Sequence, residues 1–145
     1  MNIAIIPARG GSKRIPKKNI KYFLGKPIIA YSIQAAVDSN LFDEIMVSTD
    51  NEEIAETAKN YGASVPFMRS KKASDDHATT SEVIVEVLDC YKNEGKSFDC
   101  ICCIYPTAPF VTADKLCIAY RTLNDEKADA IARDWKPSES LFLDS

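Results

Sequence analysis

The sequence predicts an α/β fold built on a mostly parallel sheet, and three observations carry that prediction. Apolar runs of strand length and helix-periodic segments alternate four or five times along the chain. The first apolar run, Asn2 to Pro7, stops abruptly before two adjacent glycines, Gly10 and Gly11. The length, 145 residues, is enough for a single core and therefore for one domain, residues 1–145.

Each element has its own signal. Residues 2–7 form a strand and residues 8–19 a long loop. Pro27 opens a helix in which Ile28, Ile29, Ile33 and Ala36 recur on one face, with proline at its favoured first position. Glu44 to Ser48 is a second strand. The following segment, from Asn51, is a helix whose cap is Asp50, although Asp50 is equally well placed for a role in a site. Gly62 suits the end of that helix. A short strand over Ala63–Pro66 precedes a polar loop from Met68 to Thr80. The spacing of Ile84, Val87, Leu88 and Tyr91 then predicts a helix over 81–91. Asp99 to Tyr105 reads as a buried strand, Pro106 to Pro109 as a turn, Thr112 to Leu123 as a helix and Ala128 to Ala132 as a last strand. In parallel α/β sheets ligands bind outside the carboxyl ends of the strands, so the loops at 8–19, 68–80 and 105–109 are expected to face one crevice.

The loop at 8–19 carries the chemistry. Arg9, Lys13, Arg14, Lys17 and Lys18 fall within ten positions around the glycine pair. Adjacent glycines let backbone N–H groups converge on one point, and cations around such a turn indicate a polyanionic ligand. The spacing is neither that of the Walker A loop nor that of the dinucleotide fingerprint. Residues 1–37 hold seven Lys or Arg and no acid, which leaves 11 basic against 21 acidic side chains in the rest. A basic cluster confined to one loop of an acidic chain suits a small anion and argues against a nucleic-acid partner. No apolar run approaches the roughly 20 residues of a membrane span, and the N-terminal segment reads as a strand and not a leader, so a cytoplasmic location is expected. The five cysteines include three in the run from Cys100 to Cys103, without zinc spacing to one another or to His77, and read as buried thiols. Lys17, Lys21 and Lys26 read as solvated charges, and His77 as a loop residue in a hydrogen-bonding role.

The segment from Ile6 to Ile20, Ile-Pro-Ala-Arg-Gly-Gly-Ser-Lys-x-Ile-Pro-x-Lys-Asn-Ile, resembles the signature of the CMP-sugar synthetases, cytidylyltransferases that act on sialic-acid-type nonulosonates. Gly25-Lys-Pro27, Val47-Ser-Thr-Asp50, Ser74-Asp-Asp-His77 and Pro106-Thr-Ala-Pro109 fall where that family has matching segments, so the resemblance covers about residues 2–127. Sialate-specific members usually have Leu-Gln-Pro-Thr-Ser-Pro where this chain has Ile104-Tyr-Pro-Thr-Ala-Pro109. Arg14 in place of a common glycine, and the segment from Lys26 to Ile33, are similar to the branch that takes pseudaminic acid. Tyr105 in place of glutamine removes an amide and offers a ring and a hydroxyl.

The resemblance implies a Rossmann-like nucleotidyltransferase fold of three layers and transfer of CMP from CTP to a nonulosonic acid, with release of pyrophosphate. N-acetylneuraminate or an eight-carbon sugar acid remains an alternative acceptor, and a CTP-binding domain without turnover an alternative role. By the same resemblance, Arg9 and Lys18 contact the phosphates as the catalytic cations, with Asn19 bonding nearby. Gly10, Gly11 and Ser12 offer backbone donors to the triphosphate. Ala8 and Arg69 border the cytosine, Ala78 and Thr80 belong to a loop that closes over the nucleotide, and Tyr105 and Thr107 face the sugar. Magnesium is the expected cofactor and a homodimer the family's assembly. The resemblance implies metal-binding aspartates, part of the sugar pocket and a dimerisation segment beyond residue 145, since family members are longer. Residues 128–145 read as an atypical tail that resembles a truncation or a frameshift, with the C-terminal part of the fold missing.

Overall fold

The computed structural model describes residues 1–10, 18–74, 78–108, 110–125, 130–132 and 140–144. Strand β1 (Asn2–Pro7) lies inside the main sheet, flanked by β4 (Glu44–Ser48) and β5 (Cys100–Ile104), both parallel to it. The pairing sets Ile3 opposite Glu44 on one side and Ile101 on the other. Beyond β5 come β7 (Ser140–Asp144) and then β6 (Ala130–Ala132), each antiparallel to its neighbour, giving the order β4-β1-β5-β7-β6. The parallel character expected from the sequence therefore belongs to β4, β1 and β5. Of the last expected strand, 128–132, the described residues Ala130–Ala132 form β6, positions 128 and 129 lying outside the described residues, and its partner β7 is an element the sequence pattern did not signal.

Helices cover both faces. Helix α1 (Ile28–Ser39) connects β1 to β4, and α2 (Glu52–Asn60) and α4 (Ala113–Asp125) share its side of the sheet. There Ala4, Ile6, Cys102 and Ile104 pack with Ile29, Ile33, Ile54, Leu116 and Leu123. Helix α3 (Thr80–Asn93) crosses the opposite face on the way to β5, and Ile3, Ile5, Met46 and Cys103 pack with Ile84, Val87 and Tyr91. The alternation of side chains along β1 and β5 is the two-residue period of a strand buried on both faces. Burial pushes the thiols of Cys102 and Cys103 well up, which makes them packing groups and poor nucleophiles.

The helix termini refine several expectations. Pro27 stands one position before α1 as its N-cap, where its φ of −54° and ψ of 137° leave the helical region. Asn51, and not Asp50, caps α2: its side chain accepts a hydrogen bond from the Ile54 N–H at 3.1 Å. Glycine does end α2, with Gly62 at φ +103°. Helix α3 starts from a capping box in which Thr79 and Glu82 each hold the other's backbone N–H. The expected strand at 63–66 is reduced to a single parallel bridge, Met46 to Ser64.

A small hairpin, β2 (Tyr22–Phe23) and β3 (Lys26–Pro27), precedes α1. Its two central residues, Leu24 at φ +49° and Gly25 at φ +90°, both take the positive φ that a type I′ turn demands. The hydroxyl of Tyr31 lies 2.6 Å from the Phe23 carbonyl oxygen and 3.0 Å from that of Leu24, holding the hairpin to α1. Leucine is strained in this conformation, and its side chain is 83% exposed. Replacing Leu24 by asparagine is expected to stabilise the protein by about 0.5–1 kcal/mol, read as a raised denaturation midpoint at unchanged slope. A lowered midpoint would mean that the Leu24 side chain contributes packing that outweighs its backbone strain.

Candidate active site

The chain leaves β1 through α1 to reach β4 on one edge, then passes through α2 and across the other face in α3 to reach β5 on the opposite edge of β1. The loops after β1 and β5 both lead to helices on the α1 side, α1 and α4, whereas α3 starts on the opposite face, and the crevice lies at the carboxyl ends of the strands between them. The crevice here has a volume of about 290 Å³. Arg9, Lys18 and Asn19 enter it from the loop after β1, and Arg69 and Ala73 from the segment after β4. The start of α3 contributes Ala78, Thr79 and Thr80, and the loop after β5 contributes Tyr105, Pro106 and Thr107. A larger and more apolar hollow, about 500 Å³, lies along the outer side of α3 and is rimmed by Glu82, Glu86 and Asp89. Those carboxylates repel an anion; the crevice attracts one.

Arg69 is the most constrained cation in the crevice. Its backbone N–H donates to the Thr49 carbonyl at 2.8 Å, so the chain after α2 returns to the end of β4. The side chain is 9% exposed. Its Nη2 donates to the Ser48 carbonyl at 2.8 Å, Nε to the Ser48 hydroxyl at 3.1 Å and Nη1 to the Ala73 carbonyl at 3.5 Å. All three partners are neutral oxygens. Burial pulls the guanidinium pKa down, the carboxylates of Asp50 and Glu86 push it back up, and the positive charge of Arg9 lowers it again. An anion entering between Arg9 and Arg69 would relieve that mutual repulsion in a partly desolvated place, where charge–charge terms are larger than in water.

Asn19 draws the two ends of the glycine loop together. Lys18, Asn19 and Ile20 form a 3₁₀ turn, and the Asn19 Nδ2 donates to the Arg9 carbonyl at 2.9 Å. The side chain is 2% exposed, and among the described residues its Oδ1 has no hydrogen-bond partner. A buried acceptor left open costs free energy, which a ligand donor at that point would recover.

The opposite wall is fixed by Tyr105. Its carbonyl accepts the Ser32 hydroxyl of α1 at 2.9 Å, and its phenol oxygen lies 3.0 Å from the Thr80 hydroxyl. Tyr105 thereby links both helix layers across the mouth of the sheet. The amino end of α3, a helix of 14 residues, adds its positive dipole end to the cationic lining.

Arg9, Lys18, Asn19, Arg69, Ala78, Thr80, Tyr105 and Thr107, singled out in the sequence, all line this one crevice. Ala8 does not: its side chain is fully buried in the core on the α1 side, and its N–H donates to the Ser48 carbonyl at 2.8 Å. Nor does Gly10 line it. Its N–H, expected to face a phosphate, donates to the Asp50 Oδ1 at 2.8 Å. Gly11, Ser12, Lys13, Arg14, Lys17 and His77 lie outside the described residues. Ala73, Thr79, Val83 and Pro106 are lining residues that sequence reasoning missed. Ala73, Thr79 and Pro106 lie on loops expected to face the crevice, and Thr79 had a further readable signal in the Thr-x-x-Glu capping box. The described lining offers cations, hydroxyls and one amide but no carboxylate, and the described residues contain no group of three or more His, Cys, Asp or Glu that could hold a metal. These groups fit phosphate oxygens and do not by themselves fit a magnesium ion, which takes carboxylate as well as phosphate oxygen.

The fold is that of solved nucleotidyltransferases. The chain belongs to the cytidylyltransferase family, whose sequence model matches residues 3–141 and so extends into the segment that reads as an atypical tail. It is 50% identical over 119 residues to a pseudaminic acid cytidylyltransferase of Campylobacter jejuni, covering 82% of this chain and 51% of that protein. It is 43% identical over 108 residues to a CMP-N,N'-diacetyllegionaminic acid synthase of Legionella pneumophila, covering 74% and 47% of the two chains. The chain thus spans about half the length of the curated relatives it matches. Among solved structures it is similar to a CMP:2-keto-3-deoxy-manno-octonic acid synthetase in complex with CTP, with a TM-score of 0.72 at 23% identity over 89% of this chain and 50% of that one. Among the described residues no helix is long and apolar enough to cross a membrane.

Gly10 is required by contact and not by its dihedral angles. A Cβ built there would lie 2.8 Å from the Asn51 Cβ, an atom held by the backbone that caps α2. Gly10→Ala is therefore expected to cost about 1–3 kcal/mol in thermal or chemical unfolding, with partial recovery when Asn51 is also changed to glycine. An unchanged melting temperature in the single variant would show that the loop can move aside freely.

Proposed function

We propose that the crevice binds the triphosphate and base of CTP, and that the chain serves transfer of CMP to a nonulosonic acid, with pseudaminic acid as the favoured acceptor. One observation carries this reading: cations from two separate loops, Arg9 and Lys18 from one and Arg69 from the other, line a single crevice with the hydroxyls of Thr80 and Tyr105 at the end of β1. The family membership and the names of the relatives support it.

In this reading the anomeric hydroxyl of the sugar acid attacks the α-phosphorus, loses its proton, and the bond to the bridging oxygen of pyrophosphate breaks. The step calls for positioning and charge neutralisation more than covalent chemistry. Arg9 and Lys18 neutralise phosphate oxygens, while Asn19 holds the loop that carries them and offers Oδ1 to a donor of the nucleotide. Arg69 sits at the base side with its guanidinium already oriented by Ser48, and Ala78 and Thr80 border the nucleotide from the start of α3. Tyr105 and Thr107 face the acceptor. Tyr105, already tied to Thr80, presents a ring edge and an oxygen where an amide would present two donors and an acceptor. That difference favours pseudaminic acid over N-acetylneuraminate.

The test is pyrophosphate release from CTP and Mg²⁺ with a panel of acceptors. Release is expected to be fastest with pseudaminic acid. Faster release with N-acetylneuraminate or an eight-carbon sugar acid would overturn the acceptor assignment, and a CTP-dependent rise in melting temperature without any release would reduce the chain's role to CTP binding. Within the loop, Lys18→Ala is expected to weaken CTP binding about ten- to hundredfold, as loss of a charge-assisted contact does. Lys21→Ala, which lies outside the crevice lining, should leave it unchanged. Equal effects from both would reduce the loop to a diffuse basic patch.

A further inference from the structure

We propose that Asp50 is a positioning residue for nucleotide binding: its carboxylate tethers the first glycine of the cationic loop to the amino end of α2 and so aims Arg9 into the crevice. The inference rests on the reading of the crevice as a CTP site.

The backbone of residues 8–10 is held at three successive points. The Ala8 N–H donates to the Ser48 carbonyl at 2.8 Å, continuing the β1–β4 ladder one residue past the strand. The Arg9 carbonyl accepts from Asn19 at 2.9 Å. The Gly10 N–H donates to the Asp50 Oδ1 at 2.8 Å. Behind Gly10, the side chain of Asn51 closes to a distance that leaves no room for a Cβ, and Asn51 is itself fixed as the cap of α2. The loop thus starts from a rigid platform, and Arg9 lies between two pinned neighbours. Removing the Asp50 acceptor frees the last of the three points and returns to the loop the backbone freedom that binding must then remove again.

Charge alone would give Asp50 the opposite effect. A carboxylate beside a polyanion site repels the ligand, although the same carboxylate favours the charged form of Arg69. Its exposure to solvent screens the repulsion. Two substitutions separate tether from charge, because both remove the charge and only one removes the acceptor. Asp50→Asn keeps an oxygen within reach of the Gly10 N–H. Asp50→Ala does not.

The experiment is isothermal titration of CTP into the full chain and both variants, with the ligand-free melting temperature and the hydrogen-exchange rate of the Gly10 amide measured on each. Asp50→Ala is expected to weaken CTP binding about fivefold or more and to speed exchange at Gly10. Asp50→Asn is expected to bind within about twofold of wild type, or more tightly, with Gly10 still protected. Binding by Asp50→Ala as tight as wild type, or by Asp50→Asn as weak as Asp50→Ala, would overturn the proposal. If the alanine variant does not fold, Asp50→Thr, too short to span to Gly10, takes its place with the same expected outcomes. Failure of the wild-type chain to bind CTP would overturn the reading of the crevice. The tether would then stand or fall on the exchange rates alone: faster at Gly10 in Asp50→Ala than in Asp50→Asn supports it, and equal rates overturn it.

Discussion

Strand β1 has a parallel partner on each edge and helices over each face, and Ile3, Ala4, Ile5 and Ile6 are completely buried as a result. Each isoleucine so buried contributes about 1.5–3 kcal/mol relative to exposure, so the central position of this strand is strongly specified. Its carboxyl end is therefore a fixed point. The chain turns toward α1 on one side of that point and returns by way of α3 on the other, and the gap between the two paths is the crevice. Pro7 lines the gap directly, and the cations after it are placed by the strand before they are placed by anything in the loop.

A second constraint is electrostatic. Burial disfavours the charge of Arg69, the carboxylates of Asp50 and Glu86 favour it and Arg9 opposes it, and among the described residues the buried Asn19 Oδ1 has no hydrogen-bond partner. Both features cost the unliganded protein free energy, because carbonyl and hydroxyl partners replace only part of the hydration a buried charge gives up and an open buried acceptor replaces none. The arrangement is complementary to a ligand that is anionic toward Arg9 and Lys18, carries acceptor oxygens within reach of Arg69 and offers a donor toward Asn19. A nucleoside triphosphate has each kind of group.

Much of this fold is legible in the sequence because its strongest signals are hydrophobic. Strands β1 and β4 have the bounds their apolar runs indicate, and α3 follows from the spacing of Ile84, Val87 and Tyr91. The errors come from residues whose role depends on partners distant in sequence. Asp50 and Asn51 are equally good caps on paper; Gly10, 40 residues away, occupies Asp50 and leaves the cap to Asn51. Leu24 gives no hint that it will take a left-handed conformation, so the hairpin before α1 is invisible until Tyr31 and the turn are seen together. Strand β7 exists because β5 has an open edge to pair with, a fact about the sheet and not about residues 140–144. At the site, the charged and hydroxylated residues of the crevice were readable by type and by family resemblance. Ala8 was not, because one residue past a strand the alternation that buries it looks the same as loop.

The account turns on where CTP touches the protein. The most direct measurement is a map of backbone amide shifts in a ¹H–¹⁵N spectrum as CTP is added to the ¹⁵N-labelled chain. The largest shifts are expected on Arg9, Gly10, Lys18, Asn19, Arg69 and Thr80, around the ends of β1 and β4 and the start of α3. Shifts concentrated on Lys72, Val85 and Asp89 along the outer side of α3, or no shifts at saturating CTP, would contradict it.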